Sequence, residues 1–236
     1  MKPVIKTVIF DLGGVLIKEA RLRFGFNLNF RSIVSLFIKN GKLPTSLRPL
    51  LFKELHKLDD KQGSYYPDLF YDWLINKKTG EQVHAEFIQY LTTTKDINKS
   101  QRILLADISQ VMFDSQHLAS IMNVHSGAKL LKRLKKETGC KIYLISNYNS
   151  EAFDCVQARF SSMFELLDDV IVSGKVHLAK PNKSIFELSI QRWNLDVEST
   201  LYIDDEKDNV LTARQQGMYA VKYTDGLSLG NYSFHR

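Results

Sequence analysis

Cysteine is scarce. The 236-residue chain holds two, Cys140 and Cys155, and neither has the spacing of a metal ligand or of a disulfide framework. A zinc-stapled module and a disulfide-rich secreted scaffold are thereby excluded, and a reducing, cytoplasmic setting is the expectation. Long apolar runs are also missing. No stretch approaches the roughly 20 residues that a membrane-spanning helix needs. The opening MKPVIKTVIFD carries an apolar run too short for a secretory signal and ends on Asp11 without a small-residue cleavage site. A soluble protein is expected. Low-complexity arms and internal repeats are absent, which argues against a nucleic-acid partner despite a formal charge of +6. Much of that excess lies between Lys18 and Lys57, in Arg21, Arg23, Arg31, Lys39, Lys42, Arg48 and Lys53. It fits a solvated basic face or an anionic small substrate. Arg21, Arg23 and Arg31 with Phe24, Phe26 and Phe30 could also meet an anionic membrane surface.

What is present is a series of short apolar runs, each closed by a polar residue or glycine: VIFD (8–11), KIYLISN (141–147), DVIVSG (169–174), TLYIDD (200–205) and MYAVKY (218–223). Helical patterns separate the later ones: 129–136 closed by Gly139, 150–164, 182–193 after Pro181, and 208–216 closed by Gly217. Strands buried on both faces and alternating with helices predict an α/β fold with a parallel, Rossmann-like sheet. Ligands of such sheets sit at the carboxyl ends of the strands. The residues there are Asp11, Ser146, Ser173, Asp204 and Asp205.

Between the first run and the second lie some hundred residues without a clear strand pattern. Helices are predicted over 30–40, 46–58, 67–76, 82–91 and 102–113, with Thr79 and Gln82 matching a capping box. The expected organisation is a core of residues 1–18 and 122–236, with an all-α cap over 19–121 inserted after the first strand. Phe37, Phe52, Phe70, Trp73, Phe87 and Tyr90 fall at near-helical spacing and are expected to form the cap's own core.

If the sheet is parallel, Asp11, Ser146, Asn147, Lys180, Asp204, Asp205 and Asn209 converge on one rim. Three carboxylates crowded together repel one another unless a cation joins them, and an all-oxygen donor set favours Mg²⁺. That combination suits phosphoryl transfer, in which a carboxylate attacks phosphorus while metal and lysine neutralise two anions. A serine hydroxyl and backbone N–H groups would take the other phosphate oxygens. Gly13 and Gly14 would let a phosphate approach the backbone closely.

The order FDLGGVL, LISN, KP, IDDEKDN resembles the haloacid dehalogenase-like superfamily of aspartate-nucleophile hydrolases. The resemblance implies that Asp11 becomes an aspartyl-phosphate and that Lys180 neutralises it. It further implies that Asp11, Asp205 and the Gly13 carbonyl bind Mg²⁺, with Asp204 and Asn209 acting behind them. Ser146, Asn147, Lys180 and Gly14 would hold phosphate. Asn209 could instead merely cap the helix that begins near Asp208. The implied function is a phosphatase of a small phosphorylated metabolite.

Gly13 departs from the family's commonest pattern, which has a second aspartate as general acid two residues after the nucleophile. General acid–base catalysis is typically worth about 10²–10⁴ in rate. Its lack points to a good leaving group, such as a sugar 1-phosphate, an acyl phosphate or an aryl phosphate. Two other escapes are a substitute acid, with His177 nearest and His56, His84 and His117 in the cap, and water with Mg²⁺ sufficing at a modest rate. Two other functions compete. A degraded, non-catalytic member would bind phosphate or a partner. A dehalogenase would use the same aspartate on carbon, and the retained Asp204–Asp205 pair argues against it.

Overall fold

The computed structural model describes residues 2–19, 48–59 and 65–235. The predicted helix over 30–40, Phe37 and the arginines and lysines between 21 and 42 lie outside the described residues. Nine strands are described: β1 Val4–Ile5, β2 Thr7–Phe10, β3 Ile17–Glu19, β4 Met122–Val124, β5 Lys141–Ser146, β6 Asp169–Val172, β7 Thr200–Asp204, β8 Tyr219–Lys222 and β9 Ser233–Phe234.

Five of them form a parallel sheet in the order β6-β5-β2-β7-β8. Alternation along the strands sends Val8, Phe10, Leu144 and Ile203 to one face, under the helices Gly127–Glu137 and Ser150–Arg159. Ile9, Ile145, Ile171 and Tyr202 face the other way, covered by Lys183–Trp193 and Lys207–Gln215 through Ile185, Phe186, Val210 and Ala213. Each such side chain, fully buried, stabilises the sandwich by about 1.5–3 kcal/mol. The chain travels outward from β2 to β5 and β6, then returns to β7 and β8 on the opposite side. The winding therefore reverses between β2 and β7, where a doubly wound sheet opens its crevice.

The long excursion leaves through β3 and returns through β4, which pair antiparallel with Ile17 opposite Val124 and Glu19 opposite Met122. The sequence predicts no strand there, because IKE and MNV are too short to show alternation. Helices follow at Arg48–Leu55, Asp68–Leu74, Gly80–Thr93, Lys99–Phe113 and Ser115–Ile121. Thr79 and Gln82 close the expected capping box, with Gln82 N donating to Thr79 Oγ1 at 3.1 Å. The helix Ser115–Ile121 is an addition to the expected set; Asp114 starts it by accepting the His117 N–H at 2.7 Å. Phe70, Trp73 and Phe87 are buried, and the rings of Phe52–Phe70 and Trp73–Phe113 lie 4.6 and 5.4 Å apart. The aromatics thus pack on one another, as their spacing suggests.

Local corrections concern helix ends. The predicted helix over 150–164 is two, Ser150–Arg159 and Ser161–Phe164, broken at Phe160 with φ −117° and ψ 31°. The helix expected over 182–193 is in place one residue shorter, as Lys183–Trp193. It follows a cis Lys180–Pro181 bond, and Asn182 caps Lys183–Trp193 by accepting the Ser184 N–H at 3.0 Å.

Candidate active site

Asp11 is the first residue beyond β2, and its N–H donates to Ile203 O on β7 at 2.9 Å. The carboxylate is thereby fixed at the switch point, and Asp11 is 7% exposed. Lys180 arrives from the loop after β6 and is itself only 2% exposed. Its Nζ donates to Asp11 Oδ1 at 2.7 Å, to Asp204 Oδ2 at 2.8 Å and to Ile145 O at 3.0 Å. An ammonium has three protons, and all three are used.

Asp204 ends β7 and is fully buried. Its oxygens accept from Lys180, from Glu206 N at 2.8 Å, from Asn209 Nδ2 at 3.1 and 3.0 Å, and from the Tyr202 hydroxyl. Asp204 is thus an anchor for Lys180. Asp205 follows it and turns toward the glycine turn. A Cβ added at Gly14, whose φ is +75°, would lie 2.1 Å from Asp205 Oδ2. Only a backbone without a side chain lets that carboxylate sit so close. Gly13 differs, and a Cβ added there would meet no heavy atom of the described residues within 4 Å.

Oxygens of Asp11, Asp204 and Asp205 all lie within 4.8 Å of one another. Three carboxylates against one ammonium leave the site anionic. Burial, with Asp204 and Asp205 beside it, pushes the Asp11 carboxyl well up despite Lys180. Burial and the neighbouring Asp204 and Glu206 push Asp205 up to about 6. Lys180 is held charged: its two carboxylate partners outweigh its own desolvation. A divalent cation fits this site on a further observation. Asn209 lines the cleft, and its buried Oδ1 has no hydrogen-bond partner among the described residues. The amide cannot be turned the other way, since Nδ2 already serves two carboxylate oxygens. An acceptor so placed suits a water of a cation's hydration shell. Asn209 does not cap the last helix; Glu206 occupies the cap of Lys207–Gln215.

The residues expected to hold phosphate divide, and the Gly14 N–H is already given to Ile17 O at 2.8 Å. Ser146 ends β5, lines the same cleft of about 370 Å³, and its hydroxyl makes no hydrogen bond among the described residues. The Asn147 side chain is otherwise engaged. Its Oδ1 accepts Lys180 N at 2.9 Å, and its Nδ2 donates to Lys180 O at 2.8 Å and Tyr66 Oη at 3.3 Å. Its carboxamide clamps the Lys180 loop and has no proton left for phosphate. None of the four candidate histidines lines the cleft. His177 is exposed beside Ile75 O, His56 pairs with Asp59, His84 with Ser109 and His117 with Asp114. Sequence reasoning misses two contributors. Tyr66, from the excursion, offers no signal. Tyr202 does, since it stands two residues before Asp204 on a strand and must share its face.

A family model described as haloacid dehalogenase-like hydrolase matches residues 5–217. A sesquiterpene phosphatase of Aspergillus oryzae is 25% identical over 99 residues, 42% of this chain and 50% of its own length. A drimenol cyclase of Aspergillus calidoustus is 29% identical over 83 residues, 35% of this chain and 16% of its own length. The matches thus span half or less of these curated relatives. Among solved structures, a predicted HAD-like family hydrolase of Porphyromonas gingivalis superposes with a TM-score of 0.60 at 22% identity, covering 95% of this chain and 94% of its own. A HAD-family enzyme of Bacteroides thetaiotaomicron, solved with magnesium and inorganic phosphate, gives 0.59 at 18% identity over 96% and 98%. At such identities the likeness is one of fold.

Proposed function

The chain belongs to the haloacid dehalogenase-like hydrolases, and from that premise we propose that it is a Mg²⁺-dependent phosphomonoesterase with Asp11 as nucleophile. The observation that carries this reading is Lys180 Nζ, bonded at once to Asp11 and Asp204 on the rim that Asp205 shares. Asp11, Asp205 and the Gly13 carbonyl would hold the metal, which supplies positive charge to a phosphoryl oxygen. Asp11 attacks phosphorus, the ester oxygen departs with the bonding pair, and the phosphoryl group stays on the Asp11 carboxylate. Lys180 follows the negative charge onto the phosphoryl oxygens, and the free Ser146 hydroxyl donates to one of them. Water then hydrolyses the aspartyl-phosphate, releasing phosphate and restoring Asp11.

Beyond Asp11 the cleft is lined by Tyr66, Tyr148 and Met122 together with Lys18 and Glu19. The two tyrosine rings there suit an aromatic or otherwise apolar organic group. The named activity of the sesquiterpene phosphatase relative supports the same choice. The excursion over 19–121 reads as a cap above residues 1–18 and 122–236, because Tyr66 brings it to the cleft.

The test is phosphate release from prenyl, aryl and sugar 1-phosphates, with Mg²⁺ and with EDTA. Release that needs Mg²⁺ and favours the apolar esters is expected. No release from any ester, or release indifferent to EDTA, would refute the reading.

A further inference from the structure

Tyr202 and Asp204 project from one face of β7, two residues apart. Tyr202 is fully buried, and its ring is set edge-on against Phe186 with centroids 5.3 Å apart. The hydroxyl donates to Asp204 Oδ2, the same oxygen that takes Lys180 Nζ at 2.8 Å. That ammonium also stands 5.8 Å from the Tyr202 ring centroid. A phenylalanine would fill the same space, so packing alone does not call for the hydroxyl.

We propose that Tyr202 is a positioning residue whose hydroxyl holds Asp204 in place while Lys180 turns from Asp204 to the phosphoryl group on Asp11. The inference rests on the reading of Asp11 as nucleophile. In the resting site Lys180 divides itself between two carboxylates at 2.7 and 2.8 Å. Once Asp11 carries the phosphoryl group, the negative charge lies on the phosphoryl oxygens and the ammonium must follow it. Asp204 then gives up a charged donor at a fully buried position, where an unsatisfied carboxylate is costly. Tyr202, Asn209 and the Glu206 N–H remain to satisfy it. Without the hydroxyl, Oδ2 would keep only the Asn209 amide, which it shares with Oδ1. Asp204 would then hold Lys180 back.

The experiment compares wild type, Tyr202→Phe, Asp204→Asn and the double variant on p-nitrophenyl phosphate with Mg²⁺, together with inhibition by orthovanadate. A hydrogen bond to a charged group corresponds to about 10-fold or more. Tyr202→Phe is expected to lower kcat about 10-fold with KM nearly unchanged, and to weaken vanadate inhibition by a similar factor. The kcat loss should vanish in the Asp204→Asn background, where the hydroxyl has no charge to hold. Should Asp204→Asn fail to fold, the vanadate measurement on the single variant decides. Wild-type kcat and inhibition in Tyr202→Phe, or an equal loss in both backgrounds, would overturn the proposal alone. A wild-type protein with no esterase activity and no vanadate binding would overturn the Asp11 reading and this inference with it.

Discussion

Replacing Gly13 by aspartate installs the acid that the first motif lacks, and the structure sets the expected cost. A Cβ at Gly13 meets no heavy atom of the described residues within 4 Å, and its φ is outside the left-handed region. Steric strain is therefore absent, and the lost backbone freedom of the unfolded chain favours the variant by about 0.4–1 kcal/mol. Against this stands a further carboxylate beside Asp11, Asp204 and Asp205. At a separation of about 6 Å and an effective dielectric of about 20, one such repulsion is about 3 kcal/mol. The net is a loss of about 2 kcal/mol without metal, or about 4–8 °C in Tm for a chain of this size. Mg²⁺ should recover most of it. On catalysis, a positioned acid is worth about 10²–10⁴ where the leaving oxygen needs a proton. We therefore expect kcat/KM on a simple alkyl phosphate to rise by about 10² or more, and on p-nitrophenyl phosphate by less than about 10-fold. Steady-state rates on the two esters, with thermal melts in Mg²⁺ and in EDTA, read both quantities. A folded variant that gains equally on both esters, or on neither, would refute the argument that the missing acid is offset by the leaving group.

Lys180→Met should abolish turnover and destabilise the fold by about 3–5 kcal/mol, because Asp11 and Asp204 lose their shared ammonium in a buried site. Urea denaturation checks this, and an undiminished midpoint would contradict the ion-pair geometry. Asp205 is pushed up to about 6 and Asp11 is pushed up as well. The metal-free folded state therefore binds protons that the unfolded chain releases near pH ~4. Its stability is fully present below that pH and falls as pH rises through about 6 and beyond. The rise in Tm on adding Mg²⁺ should accordingly be larger at about pH 8 than at about pH 5, and an equal rise at both would speak against carboxylate repulsion as the driving force.

The sheet is legible in the sequence because strands covered on both faces read as unbroken apolar runs, and Asp11, Ser146 and Asp204 mark where each run meets the crevice. Lys180 is legible through its place between the third and fourth of those runs, although its threefold bonding is not. Less can be read where side chains have two uses. Asn147 has the chemistry of a phosphate ligand, and only the fold shows that its carboxamide is spent on the Lys180 backbone. Tyr202 looks like core in a strand of aliphatic residues until the hydroxyl is seen on Asp204. The β3–β4 ribbon is hidden by its length, and the break at Phe160 by the absence of glycine or proline there. The histidines draw attention by residue type, and their partners lie elsewhere.

The central claim is that Asp11 takes up the phosphoryl group. Wild type and Asp11→Asn are each mixed with substrate and Mg²⁺, quenched in acid within one turnover, and digested for mass spectrometry. The account predicts a hydroxylamine-labile phosphoryl adduct on Asp11 of the wild type and none in the folded variant. An adduct on another residue, or turnover in Asp11→Asn at the wild-type rate, would contradict it.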